Sequence, residues 1–241
     1  MPRTARARTE RLRTEALLIR RVPFGEADLI VTFFTEQRGV VSAVARGGRR
    51  SSKRFSALEP MHLLRVELEE RPGAELGLLS EAAIERPRLH LVADLDRLEA
   101  AGRALRWLRE IAPTQTPEPR AFRELNLLLD RLDDPRAPLL PDAWLAATGL
   151  RLLSAFGWGL ELAQCVRCGR PCDPTSPSYA DPAKGGLVCR ACGGGPLLLR
   201  PDLRARLVAA AEGDDEAILP ADLRAALDLV EGALAAHASG G

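Results

Sequence analysis

Lysine is almost absent from this 241-residue chain: Lys53 and Lys184 are the only two. Neither follows a glycine, which excludes a phosphate-cradling G-x-x-x-x-G-K-[ST] loop. Histidine is as scarce. His62 falls in a strand-like run, His90 ahead of a helical pattern and His237 in the tail, so they share no setting. No H-E-x-x-H or G-x-S-x-G occurs, and no His or Cys is followed two residues later by Glu, as a zinc deaminase requires. These gaps point away from an enzyme. Aromatic residues are only 4% of the chain, so its core must be built from Leu, Ala and Val. No apolar run approaches the roughly 18–20 residues that span a bilayer, so no membrane association is expected. The N-terminal stretch MPRTARARTERLRTE lacks the apolar centre of a secretory signal. Its composition also suits a mitochondrial presequence, but strand-like sequence follows at once. The five cysteines all lie between Cys165 and Cys192, a clustering that suits metal binding in a reducing cytoplasm better than a disulfide framework.

What is present is arginine, unevenly spread. Residues 1–80 hold 15 Arg and Lys against 10 Asp and Glu, a net of +5; the remainder holds 19 against 23, a net of −4. That asymmetry points to an anionic partner for the first third. The same third reads as β. EALLIRRV, LIVTFFT, VVSAVAR, MHLLRVELEE and LGLLSEAAI are short apolar or alternating runs, separated by turns such as FGEAD and EQRG. Val41, Ala43 and Ala45 share one strand face; Leu64, Val66 and Leu68 share another, with Arg65, Glu67 and Glu69 opposite. Five short strands at regular spacing predict a small barrel, with an OB-fold leading and an SH3-like barrel reading much the same. Of the adjacent Phe33 and Phe34, a regular strand must turn one outward, where it could meet a partner.

From residue 94 the period becomes helical. Asp94 is placed as an N-cap, and Leu95, Leu98, Leu105, Leu108 and Ile111 lie near one face. Pro119 opens a second helix burying Phe122, Leu125, Leu128 or Leu129, and Leu132. A third carries Trp144, Thr148, Leu152 and Phe156 and ends at Gly157. Two amphipathic helices after residue 200 are too short to stand alone and are expected to pack on those of residues 94–156. The fold class is therefore α+β multidomain: a five-stranded OB-fold barrel over residues 1–82, an all-α domain beginning at 83–160, a cysteine module inserted at 161–197, and closing helices at 198–241.

Cys165-x-x-Cys168 and Cys189-x-x-Cys192 are separated by 20 residues, and each second cysteine is followed by glycine, Gly169 and Gly193. Two such turns match a four-thiolate structural zinc site. Glycine accepts the positive φ that a turn around a metal needs. Cys172 could replace a neighbour, but only Cys165 with Cys168 mirrors the second pair, which leaves Cys172 a free thiol beside the site. A redox CxxC would stand as one motif in a βαβ setting, and a catalytic zinc would keep an open position with an acid or base nearby. One structural Zn2+ is expected.

The loop VARGGRRSSKRF carries Arg46, Arg49, Arg50, Lys53 and Arg54, with no acid between Glu36 and Glu59. Guanidinium groups fork onto phosphate oxygens. Gly47 and Gly48 would make the loop mobile, and Phe24 and Phe55 are candidate stacking residues for single-stranded nucleic acid. Arg3, Arg6, Arg8, Arg11 and Arg13 could add phosphate contacts. The competing readings are a solvated loop and, for Phe55, a core anchor.

With these residues in hand, the chain resembles the bacterial RecO recombination mediators. The likeness rests on a Gly-Glu-x-Asp turn (Gly25, Glu26, Asp28), a Thr-Glu-x-x-Gly turn (Thr35, Glu36, Gly39) and the Gly-x-Arg-Arg basic loop. It rests also on LLSAFGWGLELAQCVRCG entering the cysteine module and GGLVCRAC leaving it. The resemblance implies a non-enzymatic DNA repair protein of the cytoplasm. It would bind single- and double-stranded DNA, anneal complementary strands and partner RecR. Together they would help load RecA onto DNA covered by single-stranded DNA-binding protein. It implies DNA contacts at Arg46, Arg49, Arg50, Lys53 and Arg54, and zinc ligands at Cys165, Cys168, Cys189 and Cys192. The rival is a zinc-ribbon protein-interaction module without direct DNA binding.

Overall fold

The computed structural model describes residues 10–50, 55–70, 76–138 and 140–238. Its first five strands are β1 (Glu10–Phe24), β2 (Asp28–Thr35), β3 (Gly39–Ala45), β4 (Leu63–Glu70) and β5 (Gly77–Arg86). They close into a barrel in the order β1-β2-β3-β5-β4. The long β1 pairs with both β2 and β4, and a short parallel pairing of β3 with β5 seals the ring. This is the OB arrangement. Alternation places Val41, Ala43, Ala45, Leu64, Val66 and Leu68 inside, as the pattern predicts. β1 starts earlier than expected. Arg11 lies in this strand, ion-paired with Glu69 at 3.0 Å, rather than in a free basic tail. Arg3, Arg6 and Arg8 lie outside the described residues.

A short helix, α1 (Leu89–Ala93), precedes α2 (Leu95–Ile111), α3 (Pro119–Asp133) and α4 (Pro141–Ala155). His90 therefore lies within a helix. Asp94 caps α2 by accepting the Arg97 N–H at 3.0 Å. Leu95, assigned to the buried face of α2, is instead 68% exposed. It sits in the first turn, where the helix has not yet reached its neighbours. Ala100, Ala101, Ala104 and Trp107 widen the buried face instead. α4 is buried along almost its whole length, from Ala143 to Leu153. It is apolar all round because other helices surround it. Its end is a Schellman turn: Trp158 N–H donates to the Leu153 carbonyl at 2.7 Å, and Gly157 N–H to that of Ser154 at 3.1 Å.

A small three-stranded sheet follows, β6 (Ser178–Asp181), β7 (Gly186–Leu187) and β8 (Leu197–Leu199), in the order β7-β6-β8. The chain then closes with α5 (Pro201–Glu212) and α6 (Leu223–Ala238), both packed on α4. Two hydrophobic cores result. One fills the barrel; the other runs through the helices and takes in Leu17, Ile19 and Phe34 from the barrel wall.

This second core settles the two phenylalanines. Phe33 points into the barrel and Phe34 out of it, yet both are fully buried, because α3 lies over Phe34 with Phe122 tilted against its ring at 5.8 Å. Neither is a partner contact. Phe55 is likewise in the barrel core, 5% exposed, and is not a stacking residue. His62 precedes β4 rather than lying in a strand. It is buried, and its Nδ1 accepts the Arg88 N–H at 3.0 Å.

Candidate nucleic-acid interface and metal centre

The outer face of β1, β2 and β3 is the first candidate site. The register sets Arg20 beside Thr32 and Thr32 beside Ser42, and sets Val22 beside Ile30 and Ile30 beside Val44. Each row faces outward, and Val22, Ile30, Thr32, Ser42 and Val44 are all half-buried. The Thr32 and Ser42 hydroxyls share a hydrogen bond of 3.1 Å. This strip is uncharged, with Arg20 exposed at one end and Arg46 and Phe24 exposed at the other. Small OB barrels bind oligonucleotides on this face. Arg20 and the strip were not singled out from the sequence. Their signal was the period-2 alternation, which assigned them outward without saying that the outward face would lack charge.

The basic loop begins where that strip ends. Over its described part hydrogen bonds tie it to the turn between β1 and β2. Gly47 has φ of +71°, and its N–H donates to Asp28 Oδ1 at 2.7 Å. Arg49 N–H donates to the Ala27 carbonyl at 2.9 Å, and Arg49 Nη1 reaches the carbonyls of Gly25 at 3.2 Å and Glu26 at 3.4 Å. The Gly-Glu-x-Asp turn and the basic loop are thus stitched together. The stitching holds Arg46, Arg49 and Arg50 on one exposed rim, none of them ion-paired among the described residues. Phe24 is 50% exposed beside them. Lys53 and Arg54 lie outside the described residues.

The second candidate is the cysteine cluster. The sulfurs of Cys165, Cys168, Cys189 and Cys192 all lie within 4.8 Å of one another. Cys168 and Cys189 are 3.8 Å apart, sulfur to sulfur. A tetrahedral site with metal–sulfur bonds of ~2.3 Å has sulfurs about 3.8 Å apart, so the donor set fits such an ion. Each knuckle turns back on its own first cysteine. Gly169 N–H returns to the Cys165 carbonyl at 2.8 Å and Gly194 N–H to that of Cys189 at 3.1 Å; Gly169 and Gly193 have φ of +68° and +101°. The Cys189 N–H points at Cys165 Sγ, 3.3 Å away. That hydrogen bond, aided by the N–H groups of Arg167 and Cys168, lowers the Cys165 thiol to about 6. Cys192, sharing its proton with the sulfurs of Cys189 and Cys168, is pushed up to about 12. Cys172 is outside the cluster, and partial burial raises its thiol.

Arg204 of α5 joins this module to the helices, and nothing in the sequence flagged it. Its guanidinium, buried within the protein, donates to the carbonyls of Leu162 (2.6 Å), Asp173 (3.0 Å), Cys172 (3.1 Å) and Ala163 (3.3 Å), and to Ser178 Oγ (3.4 Å). The loops that enter and leave the first knuckle are pinned by one side chain.

The fold and the two candidate sites define an α+β protein of three parts: an OB barrel with a basic rim, joined through a helical bundle to a four-cysteine module. Family models agree on which family it belongs to. The model described as recombination protein O N terminal matches residues 10–88, and that for recombination protein O C terminal matches residues 92–240. The chain is also similar to curated relatives named DNA repair protein RecO. That of Geobacter metallireducens is 36% identical over 232 residues, covering 95% of this chain and 93% of the relative. That of Anaeromyxobacter sp. strain K is 38% identical over 187 residues, 77% of this chain and 72% of the relative. The chain belongs to the RecO family.

Proposed function

We propose that this chain is a DNA-binding recombination mediator. It binds single- and double-stranded DNA, anneals complementary strands and, with RecR, assists RecA loading onto DNA covered by single-stranded DNA-binding protein. The observation that carries the reading is the barrel rim: Arg46, Arg49 and Arg50 are held by hydrogen bonds beside an uncharged strand face, and none of them is ion-paired among the described residues, Asp28 being the acid that ties the loop down. Lys53 and Arg54 extend the same run of sequence. Guanidiniums take the phosphates, while the apolar strip and Phe24 offer surface to bases. Bringing two polyanions together needs charge neutralisation and exposed bases, so no catalytic group is required and the protein is not an enzyme. The cluster holds one Zn2+ as a structural ion, since four thiolates close its coordination sphere. Among the described residues no helix is long and apolar enough to cross a membrane, and the protein works in the bacterial cytoplasm on nucleoid DNA.

The test is gel-shift binding of oligothymidine across a salt series, with the wild type and an Arg46→Ala/Arg49→Ala/Arg50→Ala variant. Affinity should fall steeply with salt, and the slope of log K against log salt should shrink by about 2 in the variant, at about 0.7 per lost phosphate contact. Binding that is absent, or indifferent to salt, would leave a zinc-ribbon protein-interaction module as the better reading. Annealing that persists in chelator without turnover of DNA would speak against a metal-dependent enzyme.

A further inference from the structure

Annealing requires a grip on two strands, and the barrel rim is one surface. We infer that the cysteine knuckles carry a second phosphate-binding surface, made by Arg167, Arg170 and Arg190, which holds the second DNA strand. The inference rests on the DNA-binding reading above and adds to it a site on the cysteine module.

The three arginines are all exposed, and all sit in or against the knuckles. Arg167 lies between Cys165 and Cys168, and its Nη1 crosses to the second knuckle to donate to the Cys192 carbonyl at 3.2 Å. Arg190 lies between Cys189 and Cys192, with its guanidinium over the Tyr179 ring at 5.6 Å. Arg170 is fixed at the foot of the first knuckle, where its carbonyl accepts the Cys165 N–H at 2.9 Å. Both contacts that steady the side chains are neutral. A carbonyl and an aromatic face orient a guanidinium without consuming its charge, and most of its five donors stay free. Among the described residues none of the three is ion-paired. The acids of the module do not pair with these arginines: Asp181 pairs with Lys184, while Asp173 accepts from Thr175 and Ser176 and Glu161 accepts the Ala163 and Gln164 N–H groups. Exposed guanidiniums that are oriented and unpaired suit a phosphate backbone.

The placement fits a second strand rather than a longer footprint for the first. The barrel packs on α2 and α3, whereas the module packs on α5 and α6. Among the described residues no hydrogen bond or ion pair joins module to barrel. The helical layer thus separates two basic surfaces. The physical rival is charge balance: a dication with four thiolates carries a net −2, which three guanidiniums could simply offset.

The experiment counts short oligothymidine strands bound per chain by sedimentation, at low salt, on zinc-loaded full-length protein. Oligothymidine cannot pair with itself, so two bound strands report two surfaces. The wild type should bind two. An Arg167→Ala/Arg170→Ala/Arg190→Ala variant should keep its zinc, bind one strand, and anneal complementary oligonucleotides at least tenfold more slowly. The corresponding triple Lys variant should restore the second strand, because phosphate accepts a point charge. The inference is overturned by one strand per wild-type chain, or by two on a zinc-loaded Ala variant. It is overturned equally by zinc loss in the Ala variant, which would assign the arginines to the cluster. If the wild type binds no strand at all, the DNA-binding reading itself falls; if it binds one that is lost with the Arg46, Arg49 and Arg50 substitutions, that reading stands and only the second surface falls.

Discussion

Asp28 and Gly47 are joined across 19 residues of sequence by a hydrogen bond of 2.7 Å from the Gly47 N–H to Asp28 Oδ1. Asp28 thereby places an acid beside a surface proposed to bind phosphate. Two effects oppose each other there: its charge repels the ligand, and its hydrogen bond orders the loop that carries Arg46, Arg49 and Arg50. Asp28→Asn removes the charge and keeps an acceptor; Asp28→Ala removes both. If loop order dominates, Asp28→Ala binds oligothymidine several-fold more weakly than wild type and Asp28→Asn at least as well as wild type. Filter binding at two salt concentrations decides, since only the charge effect fades with screening.

The metal site should be proton-coupled. Cys192 holds its proton up to about 12 because the Cys189 and Cys168 sulfurs share it, and that proton must leave when a cation binds. Cys165, lowered to about 6 by the Cys189 N–H, gives up its proton far more readily. Protons therefore compete with the ion, and affinity for Zn2+ rises with pH by at least about tenfold per unit near neutrality. Competition against a chromogenic chelator between pH 6 and 8 measures it. Cys189→Ser removes both a ligand and a shared-proton partner, and should lower zinc content from about one per chain to near zero.

His62 predicts a pH dependence of folding. Burial lowers its pKa below the ordinary 6.5, and its Nδ1 must stay unprotonated to accept the Arg88 N–H. The unfolded chain takes up a proton as pH falls through about 6.5 and the folded chain does not. Stability is thus unaffected by this group above that value and declines below it, by up to about 1.4 kcal/mol per pH unit. His62→Gln, which retains an acceptor without titrating, should flatten the slope of urea-unfolding free energy between pH 6.5 and 5.

The barrel strands and the thiolate cluster were legible because each leaves a period or a spacing in the sequence. Alternation also said correctly that Phe33 and Phe34 face opposite ways. It did not say that outside the barrel is still inside the protein, because Phe122 arrives from a helix some 90 residues later. Leu95 failed for the converse reason: a helical face is apolar on paper before any neighbour is there to cover it. Arg204 left no trace at all. Four of its acceptors are backbone carbonyls, which every residue possesses.

That hidden role makes Arg204 a test of how the module is held. Removing the guanidinium leaves several buried carbonyls without donors, at about 1–3 kcal/mol each where water cannot reach them. Arg204→Met keeps the length and should cost about 3 kcal/mol or more, read as a lower thermal midpoint. Arg204→Lys should rescue little, since one ammonium cannot span acceptors arranged around a planar fork. Zinc release should be faster in both variants, because the entering and leaving loops of the first knuckle lose their common anchor.

Gly39 closes the Thr-Glu-x-x-Gly turn, where Thr35 Oγ1 donates to its carbonyl at 3.1 Å and accepts the Arg38 N–H at 3.2 Å. Its φ of +63° favours glycine, and a second constraint comes from the helical region. A Cβ at this position would meet the Thr116 carbonyl oxygen at 1.9 Å. The adjoining Gln115 N–H donates to the Val40 carbonyl at 3.0 Å, so this segment is tied to the barrel and cannot simply withdraw. Gly39→Ala should therefore add left-handed strain of about 1–2 kcal/mol to a backbone clash of about 1–3 kcal/mol. Gly25→Ala serves as the control: its φ is +60° but nothing lies within 4 Å of its Cβ position, so it should carry the strain alone. A Gly39→Ala midpoint in urea no lower than that of Gly25→Ala would show that the barrel does not need its close seat against Thr116.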